Sequence, residues 1–107
     1  MTNANRFTTS IKLTDDDFKA IKTAAINSQY GSFREYSESI LNSFISQNLN
    51  REEVILLKPT KSAGYRSIAV SKDLGDTLKL FAARVDASVN GIIHTAFKNS
   101  INQHSIC

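Results

Sequence analysis

The chain has 107 residues, 41% of them hydrophobic and 21% charged, with four glycines and one proline; this allows one modest core and excludes both a disordered composition and the ~20-residue apolar run of a membrane span. The formal charge is +3, and because residues 1–50 hold five basic and five acidic side chains, the whole excess lies in residues 51–107. The lone cysteine, Cys107, excludes an intrachain disulfide or a cysteine zinc site, and MTNANRFTTS lacks the apolar core of a secretory signal, so the cytoplasm is the expected compartment.

The first element is a short strand over residues 7–13, where polar and apolar residues alternate and end at Thr14. Thr14 predicts a helix N-cap, and Asp15, Asp16 and Asp17 follow where the helix dipole favours negative charge. Phe18, Ile21, Ala24, Ala25 and Ser28 share one face of that helix, which is expected to close at Tyr30-Gly31 with the glycine in the left-handed conformation. Ser32 caps a second helix, with Glu35 spaced for a capping box, and Tyr36, Ile40, Leu41 and Phe44 form its buried stripe.

Residues 48–64 form a linker ending in Pro59 and Gly64; fully extended it reaches roughly 50 Å, enough to cross a small domain. Its Val54–Leu57 stretch is apolar enough to pack or to extend the preceding helix. The same order of elements then recurs. SIKLTDDDF at 10–18 aligns with SIAVSKDL at 67–74, a period of about 57 residues. A second strand runs from about Tyr65 to Val70 and Ser71 caps the third helix, whose stripe is Leu74, Leu78, Phe81, Ala82 and Val85. Asp86-Ala87 makes the break, Ser88 caps again, and Val89, Ile92, Ile93, Ala96, Phe97 and Ile101 form the last helix face.

Neither copy holds enough apolar surface to stand alone, and a single strand leaves its backbone groups unpaired. The expected fold is therefore mainly α with a small two-stranded antiparallel ribbon: one domain of two repeats, 6–47 and 65–103, whose strands pair while four helices bury their stripes beneath them.

This order of alternating strand, Thr14 or Ser71 cap, Leu78…Phe81-Ala82 stripe, turn, Ser32 or Ser88 cap and Ile92-Ile93…Ala96-Phe97 resembles the ribbon-helix-helix DNA-binding family of the Arc and MetJ repressors. The second copy matches without a gap. The first needs about two extra residues in its first helix, and its YGSFREYSESIL is similar to the second helix of ParD-type antitoxins of that family. In the family the two copies usually come from two subunits. Two copies in one chain, an intramolecular pseudo-dimer, are similar in architecture to the tandem TraY protein of conjugative plasmids.

The resemblance implies a ribbon in the major groove, where base edges carry a full donor and acceptor code. With Ile11, Leu13, Ile68 and Val70 inward, the outward, base-reading set is Arg6, Thr8, Ser10 and Lys12 on one strand and Tyr65, Ser67 and Ala69 on the other. The two halves differ, so a non-palindromic subsite per chain is expected. Phosphate clamping is expected at the second-helix N-termini, Ser32-Phe33 with Arg34 and Ser88-Val89, with Lys61 and Arg66 added at the linker's end.

The implied partner is double-stranded DNA, bound as a transcriptional repressor or as a plasmid-transfer accessory protein beside a relaxase, with further copies on adjacent subsites. An antitoxin-type autoregulator is disfavoured because only about six residues follow the last stripe. The competing class is a protein-binding adaptor whose ribbon serves packing alone. No phosphate loop, metal-ligand set or nucleophile with a base points to an enzyme, a cofactor or a small-molecule substrate. The aspartate triplet reads as a helix start rather than a metal site, since neighbours at i, i+1 and i+2 diverge on a helix. His94 and His104 are expected at the surface and Cys107 as an inert thiol. Gly75 and Gly91 cost up to ~1 kcal/mol each within helices, with no compensating role legible.

Overall fold

The computed structural model describes residues 6–50, 54, 56–58 and 63–105. Strand β1 (Arg6–Leu13) leads into α1 (Asp15–Asn27) and α2 (Phe33–Gln47); β2 (Gly64–Ser71) leads into α3 (Lys72–Arg84) and α4 (Val89–Ser105). The strands pair antiparallel as a two-stranded sheet, from Arg6 opposite Ser71 to Leu13 opposite Gly64. One face of that ribbon is covered. Ile11, Leu13, Ile68 and Val70 point into a single core with Ile21, Leu41, Leu78, Ile92, Ile93 and Phe97, all almost fully buried.

The caps form where residue type and spacing demand them. Thr14 accepts a hydrogen bond from the Asp17 N–H at 3.1 Å, and Ser71 from Leu74 at 3.2 Å. These two side chains turn each strand directly into its helix, an arrangement worth about 1 kcal/mol per cap. Helix α4 is the central element. It packs on β1, α1, α2 and α3, and residues 92–97 are buried without a break, including His94 and Thr95. Second helices serve the opposite strand: α4 lies against β1 and α2 against β2, so the repeats interlock.

Two expectations are corrected. The first helix ends at Asn27, before Tyr30-Gly31, because the Ser28 hydroxyl donates to the Ala25 carbonyl at 2.7 Å and accepts from the Tyr30 N–H at 3.1 Å, supplying the closing bonds. Gly31 is not left-handed; its N–H donates to Glu35 Oε1 at 3.0 Å, one residue before the expected capping-box donor. His94 is not a surface residue. The residue is 4% exposed, and Nδ1 lies 3.0 Å from the Lys12 carbonyl.

The left-handed closure belongs to the second break. There Asp86 has φ 56°, Ala87 N–H donates to Ala82 O at 2.8 Å and Asp86 N–H to Ala83 O at 3.3 Å, the paired bonds of a Schellman closure. Such a φ strains any residue with a Cβ. Asp86→Gly is therefore expected to raise stability by about 0.5–1 kcal/mol in urea unfolding, and an unchanged or lower midpoint would remove the strain argument.

Both helix glycines also gain a reason. A Cβ on Gly75 would lie 2.5 Å from Phe7 Cβ, and one on Gly91 would lie 2.9 Å from Ser88 Oγ and 3.2 Å from Leu56 Cδ1. Gly91 thus sits at the point where the linker crosses α4. Val54 and Leu56 pack on the core as the apolar run suggested, and the Leu57 N–H donates to Thr95 Oγ1 at 3.0 Å.

Candidate nucleic-acid interface

The uncovered face of the ribbon carries the whole expected reading set. Arg6, Thr8, Ser10 and Lys12 alternate as exposed residues along β1, Tyr65 and Ser67 are exposed on β2, and Ala69 is half-buried. Register brings them together across the strands: Thr8 opposite Ala69, Ser10 opposite Ser67 and Lys12 opposite Tyr65. The Lys12 ammonium lies 5.3 Å above the Tyr65 ring, within cation–π range. This face offers one ammonium, one guanidinium, four hydroxyls and two methyl-bearing side chains (Thr8, Ala69), a mixed donor, acceptor and apolar set.

The buried face explains why the ribbon holds still. Thr9, polar at an inward position, donates its hydroxyl to Asn90 Oδ1 of α4 at 2.7 Å. The Lys12 backbone is fixed by His94, whose Nδ1–H donates to its carbonyl. Burial lowers the His94 pKa below its ordinary 6.5, and Lys98 repels the imidazolium; the Lys12 carbonyl, Asp17 and the Lys58 backbone act in the opposite sense with smaller effect.

The sign for stability follows. Above pH 6.5 His94 is neutral folded or unfolded; below it the unfolded chain takes up the proton first, so stability falls until the lower folded pKa is reached. Its contribution is bounded by about 1.4 kcal/mol per pH unit. Urea midpoints at pH 7.5 and 5.5 should therefore separate more for the natural chain than for His94→Gln, and equal separations would remove His94 as the cause.

The phosphate set is unequally placed. At the start of α2, Ser32 Oγ accepts from the Glu35 N–H at 3.1 Å, Phe33 packs edge-on against Phe18 at 5.8 Å, and Arg34 pairs with Glu38 at 3.4 Å. Glu38 also accepts from the Ser71 N–H at 2.8 Å. At the start of α4, Ser88 Oγ accepts from the Gly91 N–H at 3.0 Å, Val89 packs on the core, and the first turn has no acidic residue, whereas that of α2 has Glu35. A carboxylate thus offsets the dipole at α2 and none does so at α4, so an anion is better received beside Ser88. A cleft of about 260 Å³ opens there, between Ser88, Asn90 and Gly91 on α4 and Ser10, Lys12 and Tyr65 on the ribbon.

Arg66 faces the helices, paired with Asp15 and stacked 4.7 Å over the Phe18 ring; reaching a phosphate would require it to leave both partners. Its inward position was already implied by counting two residues back from Ile68. Lys61 and Cys107 lie outside the described residues, as does the His104 side chain. Thr9, Asn90 and His94 were missed; the signal was Thr9, a polar residue in the inward register between Phe7 and Ile11 that called for a polar partner. Among the described residues no three His, Cys, Asp or Glu side chains cluster as metal ligands, and no helix is long and apolar enough to cross a membrane.

The fold and this face define a class: a small helical domain that buries one side of a two-stranded antiparallel ribbon and presents the other to solvent. Comparison with protein-family models, with curated proteins and with solved structures gives no match.

Proposed function

We propose that the chain binds double-stranded DNA sequence-specifically, its ribbon entering the major groove, with the two repeats acting as a ribbon-helix-helix pseudo-dimer within one chain. The observation that carries this reading is the ribbon's exposed face: hydrogen-bonding and methyl-bearing side chains in cross-strand register, open to solvent on a strand pair anchored from behind by Thr9–Asn90 and His94. A two-stranded ribbon fits the major groove, and this mixture of groups matches what base edges offer there. The carboxylate-free start of α4 beside the ribbon supports a phosphate contact. Repressors and transfer-origin accessory proteins share this chemistry, and either role accommodates further copies on neighbouring subsites or, for the latter, a relaxase partner.

Gel-shift titration of the full chain against DNA from its own gene neighbourhood tests the reading. Binding should weaken steeply with salt, each neutralised phosphate adding about −0.9 to the slope of log affinity against log salt. Lys12→Ala should lower affinity for the preferred site about tenfold while leaving the circular dichroism spectrum unchanged. Salt-insensitive retention, or equal affinity for that site, would instead favour a protein-binding adaptor.

A further inference from the structure

The strand register assigns the chain more than a DNA-binding face. Counting by the repeat, Lys12 corresponds to Ala69 and Thr8 to Tyr65, while Ser10 corresponds to Ser67. Ser10 and Ser67 face each other, so the Lys12–Tyr65 and Thr8–Ala69 pairs stand at equivalent levels on either side of that centre. In a ribbon made of two identical strands those levels would carry the same chemistry. Here one is cationic and aromatic, and the other consists of two side chains whose outermost carbon is a methyl group.

We propose, building on the DNA-binding reading above, that the ribbon reads its site in one fixed orientation. A guanine lies at the Lys12–Tyr65 level and a thymine at the Thr8–Ala69 level, and Tyr65 is the positioning residue for the Lys12 ammonium. Guanine presents O6 and N7 acceptors that a lysine satisfies, whereas thymine presents a methyl group that alanine and the threonine methyl pack against. Lys12 and Thr8 are four residues apart on β1, about 13 Å, which corresponds to about three or four base steps along the groove.

Tyr65 is 70% exposed, so its ring is open to solvent beside the Lys12 side chain. The Lys12 ammonium lies over that ring, and the Lys12 carbonyl is held by buried His94. A lysine free in water loses rotamer freedom when it engages a base. Backbone anchor and ring together remove part of that loss before DNA arrives. At the opposite level the mate of Lys12 is Ala69, and the short neutral Thr8 hydroxyl is the one side-chain donor there, so a site bound in the reverse orientation would lose the ammonium contact to its guanine.

Selection of the full chain against a randomised duplex library, followed by anisotropy titrations on the selected site, tests this. The expected result is a non-palindromic consensus with a guanine and a thymine about three or four steps apart. Replacing that guanine by 7-deazaguanine, which lacks the N7 acceptor, should weaken the natural chain about tenfold and Lys12→Ala hardly at all. Tyr65→Ala should lose most of this discrimination with an unchanged circular dichroism spectrum, whereas Tyr65→Phe, which keeps the ring, should retain it. Uracil in place of the thymine should weaken the natural chain about two- to fivefold, from the lost methyl contact. A palindromic consensus, or Tyr65→Ala with full guanine discrimination, overturns the proposal. Salt-sensitive binding without sequence preference overturns it and leaves the DNA-binding reading standing, while absence of any DNA binding overturns both.

Discussion

Phe97→Ala is expected to cost about 3–5 kcal/mol, the range for emptying a fully buried phenylalanine site. Phe97 has no exposed surface and sits in α4, which packs against β1 and all three other helices. A domain of this size holds about 5–15 kcal/mol in total, so the variant should lose a large share of its stability and unfold at a much lower urea concentration. Because α4 supports the strand of the other repeat, the ribbon is expected to melt together with the helices. Amide hydrogen exchange in β1 and in α4 should accelerate in step, and urea curves read by circular dichroism and by tyrosine emission should coincide. Separate transitions, or a cost below about 1 kcal/mol, would mean that the repeats do not share one cooperative core.

Most of the architecture was legible because each element announces itself twice, once per repeat. Thr14 and Ser71 mark where a strand becomes a helix, and both cap their helices as a hydroxyl with a free first-turn N–H must. The stripes on α3 and α4 were read from spacing alone, and those residues are buried or half-buried as named. What spacing could not reveal was the fate of polar residues inside that pattern. His94 falls within a buried run on α4, yet its burial depends on a carbonyl from β1, 82 residues away in sequence. Gly31 offered a plausible left-handed stop, but Ser28 closes α1 first through its own hydroxyl. Arg66 could be assigned to the inward face by counting, while its pairing with Asp15 and stacking on Phe18 required the third dimension.

Gly75→Ala is expected to destabilise the chain by about 2 kcal/mol, even though alanine gains up to ~1 kcal/mol over glycine in helix propensity. An added Cβ would stand 2.5 Å from Phe7 Cβ and 2.6 Å from Cγ, and the Cβ is fixed to the β1 backbone, so no rotamer change relieves the contact. The repeat explains why a glycine is there. Gly75 corresponds to Phe18, Phe7 corresponds to Gly64, and Lys79 corresponds to Lys22. Lys22 lies 5.2 Å over the Phe18 ring and Lys79 lies 5.0 Å over the Phe7 ring. Both rings belong to the first repeat: Phe18 lies under a lysine of its own helix, while Phe7, from β1, lies under the equivalent lysine of α3, where Gly75 leaves it room; a Cβ on Gly64 would meet nothing within 4 Å. This contact predicts a specific coupling. Gly75→Phe alone should prevent folding, and adding Phe7→Gly should restore a cooperative urea transition, because the second change removes the ring that the new side chain would strike and leaves a helix-borne phenyl four residues before Lys79, as Phe18 stands to Lys22. A stabilised Gly75→Ala, or a double variant no more stable than Gly75→Phe, would show that Phe7 and position 75 do not compete for one space.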